Sequence, residues 1–277
     1  MGAYLNKPIF KEEGHSYTNQ LTGELYISAT SLIHKYAPKF DADVIAEKYV
    51  KTRSENKLIA DLMAKYVISK DSLLESFENI GYVETVKLLW REENERSCIS
   101  GTAYHKEKEN IDLSQETHNF RGRELPLGVV TTEIEDLYLL PDGLYNELLI
   151  WNNELGIAGQ ADRVIIYTEG EDRFVFIEDW KTNKEIKNYN YLNKRDGTPV
   201  INEYLLAPVN HLCNCNYNLY QLQLNLYGYL LTQFGFKIKG GKIIHVTDND
   251  KIYPLNNHQA DIEAIIEDYK NGSKRHN

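Results

Sequence analysis

Hydrophobic and polar positions alternate most regularly in the middle of the chain, and the elements predicted there organise the rest. The runs Arg163-Val164-Ile165-Ile166-Tyr167 and Arg173-Phe174-Val175-Phe176-Ile177 are rich in the β-branched and aromatic residues that strands favour. The polar stretch Thr168-Glu169-Gly170-Glu171-Asp172 between them predicts a turn. A turn centred between Gly170 and Glu171 sets Asp162 opposite Asp179, with Cβ atoms roughly 4.5–5.5 Å apart. Upstream, Tyr145 to Trp151 predicts another strand. If the following turn is centred between Glu154 and Leu155, Glu147 also falls opposite Asp162.

The flanking segments are less regular. Residues 8 to 27 predict a small β-hairpin turning through Gln20-Leu21-Thr22-Gly23. A helix through Leu32, Ile33 and Tyr36 follows, with Ser28 or Thr30 as its cap and Pro38 as its stop. From Asp41 to about Asn110 apolar residues recur at helical spacing, which predicts an N-terminal helical lobe packed beside the sheet. Gly101-Thr102 predicts a fresh helix start, Thr102 being the cap and His105 and Glu109 lying one turn apart. Residues 111 to 143 read as an acidic loop region with short strands, punctuated by Pro126, Pro141 and Gly143. Beyond Lys184 the chain is loop-like as far as Cys215. Tyr220 to Leu231 then predicts an amphipathic helix with Gln223 and Tyr227 on one face. Residues 241 to 253 predict a closing hairpin, and a last helix runs from about His258 to Tyr269. The domain reading is 1–100 for the hairpin and helical lobe and 101–277 for the sheet-bearing core.

Composition narrows the picture. The chain has 277 residues with 42% hydrophobic content, enough for one large domain or a core with an appended lobe. No apolar run approaches the roughly 20 residues a membrane helix needs. The first residues lack the apolar segment of a secretory signal, so no membrane partner is expected and the cytoplasm is the expected compartment. Cys98, Cys213 and Cys215 read as free thiols. The formal net charge of -10 weighs against tight, non-specific attraction to a polyanion. Lys184, Lys187, Lys194 and Arg195 nevertheless form a local basic run just after the predicted hairpin. His15 and His34 read as ordinary polar residues, and His118 and His245 stay unassigned.

The facing carboxylates carry the chemistry. Two bare carboxylates side by side repel unless a proton or a cation lies between them. Asp179 and Lys181 leave the strand on one face, which brings an amine to the pair, whereas Glu178 points to the other face and is the second-choice ligand. Oxygen donors suit Mg²⁺ or Mn²⁺, an ion that polarises a phosphoryl oxygen and acidifies water. Lys181 would orient or activate that water, or stabilise charge growing on the phosphate. The plain alternative is a surface hairpin whose Asp and Lys form exposed ion pairs worth little.

The order of short motifs adds to this reading. Gly156-x-Ala158-Gly159-Gln160-Ala161-Asp162, then the hairpin, then Ile177-Glu178-Asp179-Trp180-Lys181-Thr182 resembles the core of the PD-(D/E)XK nuclease superfamily. Within it the chain resembles the RecB-type exonucleases, which include the mitochondrial genome maintenance exonuclease and many phage nucleases. Gly101-Thr102-x-x-His105 is similar to that branch's first motif, and Gln223-x-x-x-Tyr227 to its last. Ala161 stands where the superfamily name has Pro, a departure usual in this branch. The resemblance covers about residues 101 to 231 and extends more loosely to the N-terminal lobe.

The resemblance implies an α/β fold: a restriction-endonuclease-like core, a mixed central sheet flanked by helices, with an N-terminal helical lobe. It implies that His105, Asp162, Asp179 and the backbone carbonyl of Trp180 hold one or two Mg²⁺ or Mn²⁺ ions. Lys181 would then assist the attack, and Gln223 and Tyr227 would support the site or contact DNA. Read from the residues alone, Glu147 is a third acidic ligand, a partner that supports the ligands, or a hydrogen-bonding residue of the sheet, and Thr182 and Lys184 support the site or contact DNA. Three cysteines are too few for the iron–sulfur cluster that some relatives carry, so none is expected. The expected activity is metal-dependent exonuclease action on single-stranded or frayed DNA, in phage-type replication, recombination or repair and alongside the proteins of those processes. Structure-specific endonuclease action and a non-catalytic nucleic-acid-binding role on the same fold are the two alternatives.

Overall fold

A computed structural model describes residues 7–14, 16–128, 136–193 and 195–273. His15, Lys194 and residues 129–135 of the expected acidic loop lie outside the described residues. The elements are β1 (Ile9–Lys11), β2 (Ser16–Thr18), β3 (Leu25–Ser28), α1 (Ala29–His34), α2 (Ala42–Lys51), α3 (Glu55–Lys65), α4 (Lys70–Ile80) and α5 (Tyr82–Leu113). There follow β4 (Thr117–Phe120), β5 (Arg123–Pro126), a 3-10 turn at Leu137–Leu139, β6 (Gly143–Asn152), β7 (Ile157–Glu169) and β8 (Asp172–Lys181). The chain ends with β9 (Tyr191–Leu192), β10 (Pro199–Val200), α6 (Asn216–Thr232), β11 (Lys237–His245), β12 (Lys251–Pro254) and α7 (Gln259–Ser273).

The fold is α/β, built on a mixed sheet. Its path runs β1-β2-β3-β7-β8-β11-β12, and β6 pairs with β7 as well. The β3–β7 and β8–β11 pairings are parallel, while β6–β7 and β7–β8 are antiparallel. A strand has two hydrogen-bonding edges, and β6 takes one edge of β7 over its whole paired length, residues 157 to 166. The other edge is shared: β3 pairs with Ile157 and Ala158, and β8 pairs from Arg163 to Glu169. Residues 159 to 162 of that edge lie where β3 and β8 part. Asp162 stands in this fork.

Both hairpins follow the sequence-derived register. Arg163 pairs with Glu178 and Glu169 with Asp172, which centres the turn between Gly170 and Glu171. Asn146 pairs with Arg163 and Leu148 with Ala161, which puts Glu147 opposite Asp162. Gly170 has φ 63°, the left-handed geometry a tight turn demands.

The main core lies between the sheet and the helices α1, α6 and α7. On α6 Leu222, Leu224, Leu226, Leu230 and Leu231 are buried, while Asn218, Asn225 and Thr232 lie on its more open side. The Gln221 side chain, fully buried, donates from Nε2 to Pro254 O and accepts from Asn256 N, tying α6 to the segment after β12. Ser28 caps α1 by accepting from Ser31 N.

The chain divides into two compact units, one of residues 1–38 with 105–277 and one of residues 39–104. This differs from the 1–100 and 101–277 division drawn from the sequence, because β3 is hydrogen-bonded to β7 and so joins the sheet. The smaller unit is helical, with its own core of Leu58, Leu62, Leu73, Phe77, Val86 and Leu89. The expected helix start at Gly101-Thr102 is absent: α5 is continuous from Tyr82 to Leu113, and Thr102 is no cap. A glycine inside a helix costs only about 1 kcal/mol relative to Ala, which the Glu-, Lys- and Arg-rich flanks can absorb. No helix among the described residues is long and apolar enough to cross a membrane.

Candidate metal centre

Asp162 is set by the fork in the sheet. Its Oδ2 accepts a hydrogen bond of 2.8 Å from the backbone N–H of Trp180. That N–H, on β8 just past its last backbone pairing with β7, is thereby satisfied by a side chain. The carboxylate is buried, so burial, reinforced by the neighbouring Asp179, pushes its pKa up to about 7 against the pull of Lys181 and His105.

His105 comes from the C-terminal part of α5. Its Nδ1 lies 3.5 Å from Asp162 Oδ1 and 3.8 Å from Glu147 Oε1. The Glu147 carboxylate raises the imidazole's pKa above its ordinary value, with Asp162 and Asp179 adding to it and burial opposing. One donor atom from each of His105, Glu147 and Asp162 lies within 4.8 Å of the others. A nitrogen and two carboxylates so spaced suit a small divalent cation.

Glu147 reaches this group through an unusual backbone. Its φ is 48°, left-handed for a residue with a side chain and in mid-strand. The pairing register is the same on both sides of it, so no extra residue is inserted. What changes is the phase of the pleat. Tyr145 and Leu148, three apart, both enter the main core, as do Ala161 and Val164 on the paired strand. Regular alternation would send each pair to opposite faces. The Gln160 side chain lies 3.5 Å from the Glu147 carbonyl, which accepts from it at the point of reversal.

Asp179 and Lys181 form the second half of the site. Lys181 Nζ lies 2.7 Å from Asp179 Oδ2, and both side chains are largely buried. Burial works against the ammonium, but Asp179 and Asp162 together hold its pKa above the ordinary lysine range. Lys181 also lies 4.8 Å from the ring centroid of Tyr220, on the first turns of α6. The Tyr220 hydroxyl donates to Asn183 Oδ1 at 2.6 Å. On the other side of β8, His245 pairs with Lys181 in register, and its Nε2 lies 2.7 Å from Asn183 O. Lys181 is thus fixed by a carboxylate, an aromatic face and the strand beside it.

A scan against protein-family models finds no match for the chain, and no curated protein matches it either.

Of the sequence-derived residues, His105, Glu147, Asp162, Asp179 and Lys181 converge. Trp180 contributes its backbone N–H to Asp162, and its ring lies 6.2 Å from that of His105. Gln223 Nε2 donates to the Tyr227 hydroxyl at 3.2 Å, and Tyr227 is buried with its phenol pKa raised, first by burial and then by Asp179 among nearby groups. Thr182 and Lys184 are exposed beyond the end of β8. Lys187, of the expected basic run, pairs with Glu185 at 3.1 Å.

Glu178 is not a second-choice ligand. It faces the other side of the sheet, where its carboxylate meets Arg163 at 3.0 Å and Lys242 at 2.9 Å. Sequence reasoning missed Tyr220 and His245. Tyr220 sits three residues before Gln223, the helical spacing that puts both on one face, and that spacing was the available signal.

Gly159 has a steric reason. A Cβ there would lie 2.8 Å from Tyr227 Cε1 and 3.1 Å from Ala29 Cβ. Glycine lets the Tyr227 ring pack onto β7 directly beside Asp162.

Proposed function

We propose that this protein is a metal-dependent deoxyribonuclease of the RecB-type PD-(D/E)XK group. One observation carries the reading: Asp162, opposite an Asp179-x-Lys181 strand end, shares its carboxylate with His105 and Glu147 inside a buried fork of the sheet. The donor set fits a hard divalent cation. The carboxylates repel, Asp162 is raised to about 7 by burial and by Asp179, and a cation relieves both. His105, Asp162 and Glu147 would hold Mg²⁺ or Mn²⁺, with Asp179 and the Trp180 carbonyl completing the set. When bound, such an ion supplies Lewis-acid polarisation of a scissile phosphate and acidifies water.

The chain's own groups do the rest. Lys181 stays protonated at neutral pH because two carboxylates face it. It is a donor that orients the attacking water and stabilises charge on the phosphate rather than a base that removes a proton. Tyr220 and Asp179 fix its position. Gln223 orients the Tyr227 hydroxyl behind the carboxylates.

Exonuclease action on single-stranded or frayed ends is the mode we favour, by the same motif resemblance. The test is degradation of end-labelled linear and circular single-stranded DNA with Mg²⁺, Mn²⁺ or EDTA, beside Lys181→Ala. Metal-dependent loss of the linear substrate alone, abolished in the variant, supports an exonuclease. Cutting of circles moves the reading to an endonuclease, and no cleavage under any metal refutes the enzyme.

A further inference from the structure

On the face of the sheet opposite the carboxylates, the β4–β5 hairpin covers a cavity of about 340 Å³. Its charged wall comprises Arg121, Arg163, Lys242 and Glu178, three cations to one anion. Asp112, just behind Arg163 at 3.2 Å, leaves the balance positive. The remaining wall includes Phe120 and Phe176, and the Arg121 guanidinium lies over both rings at 5.1 and 5.0 Å.

His118 belongs to the wall and is only 7% exposed. Its Nδ1 lies 3.4 Å from Arg163 Nη2, which helps to fix that guanidinium in the wall.

We propose that this cavity is a second binding site, independent of any metal, for the phosphate group of a nucleotide. A phosphate offers acceptor oxygens to Lys242 and to the planar forks of Arg121 and Arg163. The Phe120 and Phe176 rings provide an apolar surface beside it for a sugar or base. The phosphate can come from a free nucleotide or from a DNA strand. The site does not rest on the nuclease reading, because its residues and the carboxylate cluster occupy opposite faces.

The experiment is calorimetric titration in EDTA with inorganic phosphate, a deoxynucleoside 5′-monophosphate, and a short 5′-phosphorylated oligonucleotide. The full chain is compared with Arg121→Ala, Lys242→Gln and Asp179→Asn. Wild type and Asp179→Asn are expected to bind alike, and Arg121→Ala and Lys242→Gln to bind at least about tenfold more weakly, the loss of one charge-assisted contact. Arg121 is exposed, so its variant folds even where Lys242→Gln, which leaves Glu178 with Arg163 alone of its two cations, does not. Binding of the monophosphate alone assigns a free nucleotide, and binding of the oligonucleotide assigns a strand. No binding by wild type, or binding lost in Asp179→Asn and kept in Arg121→Ala, overturns the proposal.

Discussion

Asp162 and Trp180 are joined by a side-chain-to-backbone hydrogen bond of 2.8 Å where backbone pairing between β7 and β8 ends. The bond does two things. It satisfies the Trp180 N–H at the sheet's fork, and it holds a buried carboxylate against Asp179 and His105. The site is thus built at the place where the sheet stops being regular.

Asp162 should cost the metal-free protein stability at high pH. Its folded pKa, raised to about 7, lies above the ordinary carboxylate value, so the folded state holds the proton more tightly. Stability from this group is full below the ordinary carboxylate range and is lost as pH rises through about 7. Asn keeps an oxygen for the Trp180 N–H. Asp162→Asn is therefore expected to raise the melting temperature in EDTA at pH 8 and to change it little at pH 4. A lowered melting temperature at pH 8 contradicts this.

Glu147 separates backbone strain from ligation. A left-handed residue with a Cβ costs about 1–2 kcal/mol, and glycine is free of that cost. Urea unfolding in EDTA should show Glu147→Gly more stable than Glu147→Ala by about 1 kcal/mol. Both variants should bind Mn²⁺ more weakly than wild type.

Gly159→Ala places a methyl against the Tyr227 ring and the Ala29 methyl at once. Neither neighbour is the loose end of a flexible chain, so an overpacking cost of about 1–3 kcal/mol is expected. Thermal unfolding checks the cost. DNA cleavage should fall with it, since Tyr227 backs the carboxylates.

Much of this arrangement was legible in the chain. Turns centred between Gly170 and Glu171 and between Glu154 and Leu155 give the registers observed, and with them the convergence of Glu147, Asp162 and Asp179. Local rules could not supply the rest. The parallel pairing of β3 with β7 joins residues about 130 positions apart and has no local signal. The left-handed Glu147 violates the propensity of its own residue type, and the Arg163–Glu178–Lys242 network depends on which strand lies beside which. Gly101-Thr102 misled because a glycine followed by a good cap also occurs inside a long helix.

Glu178 and Asp179 are neighbours with opposite duties. Glu178→Gln leaves Arg163 and Lys242 short of a buried partner, and breaking such a pair typically costs about 3–5 kcal/mol. Chemical denaturation should show that loss while Mn²⁺ affinity stays near wild type. For Asp179→Asn the expected order is reversed, with weaker metal binding the larger effect.

The central claim is that His105, Glu147 and Asp162 hold a divalent cation. Calorimetric titration of Mn²⁺ at pH 8 into the wild type and into Asp162→Asn tests it most directly. Saturable binding by the wild type, weakened more than about tenfold in the variant, is the predicted result. Equal affinity in both proteins, or no binding by the wild type, would contradict it.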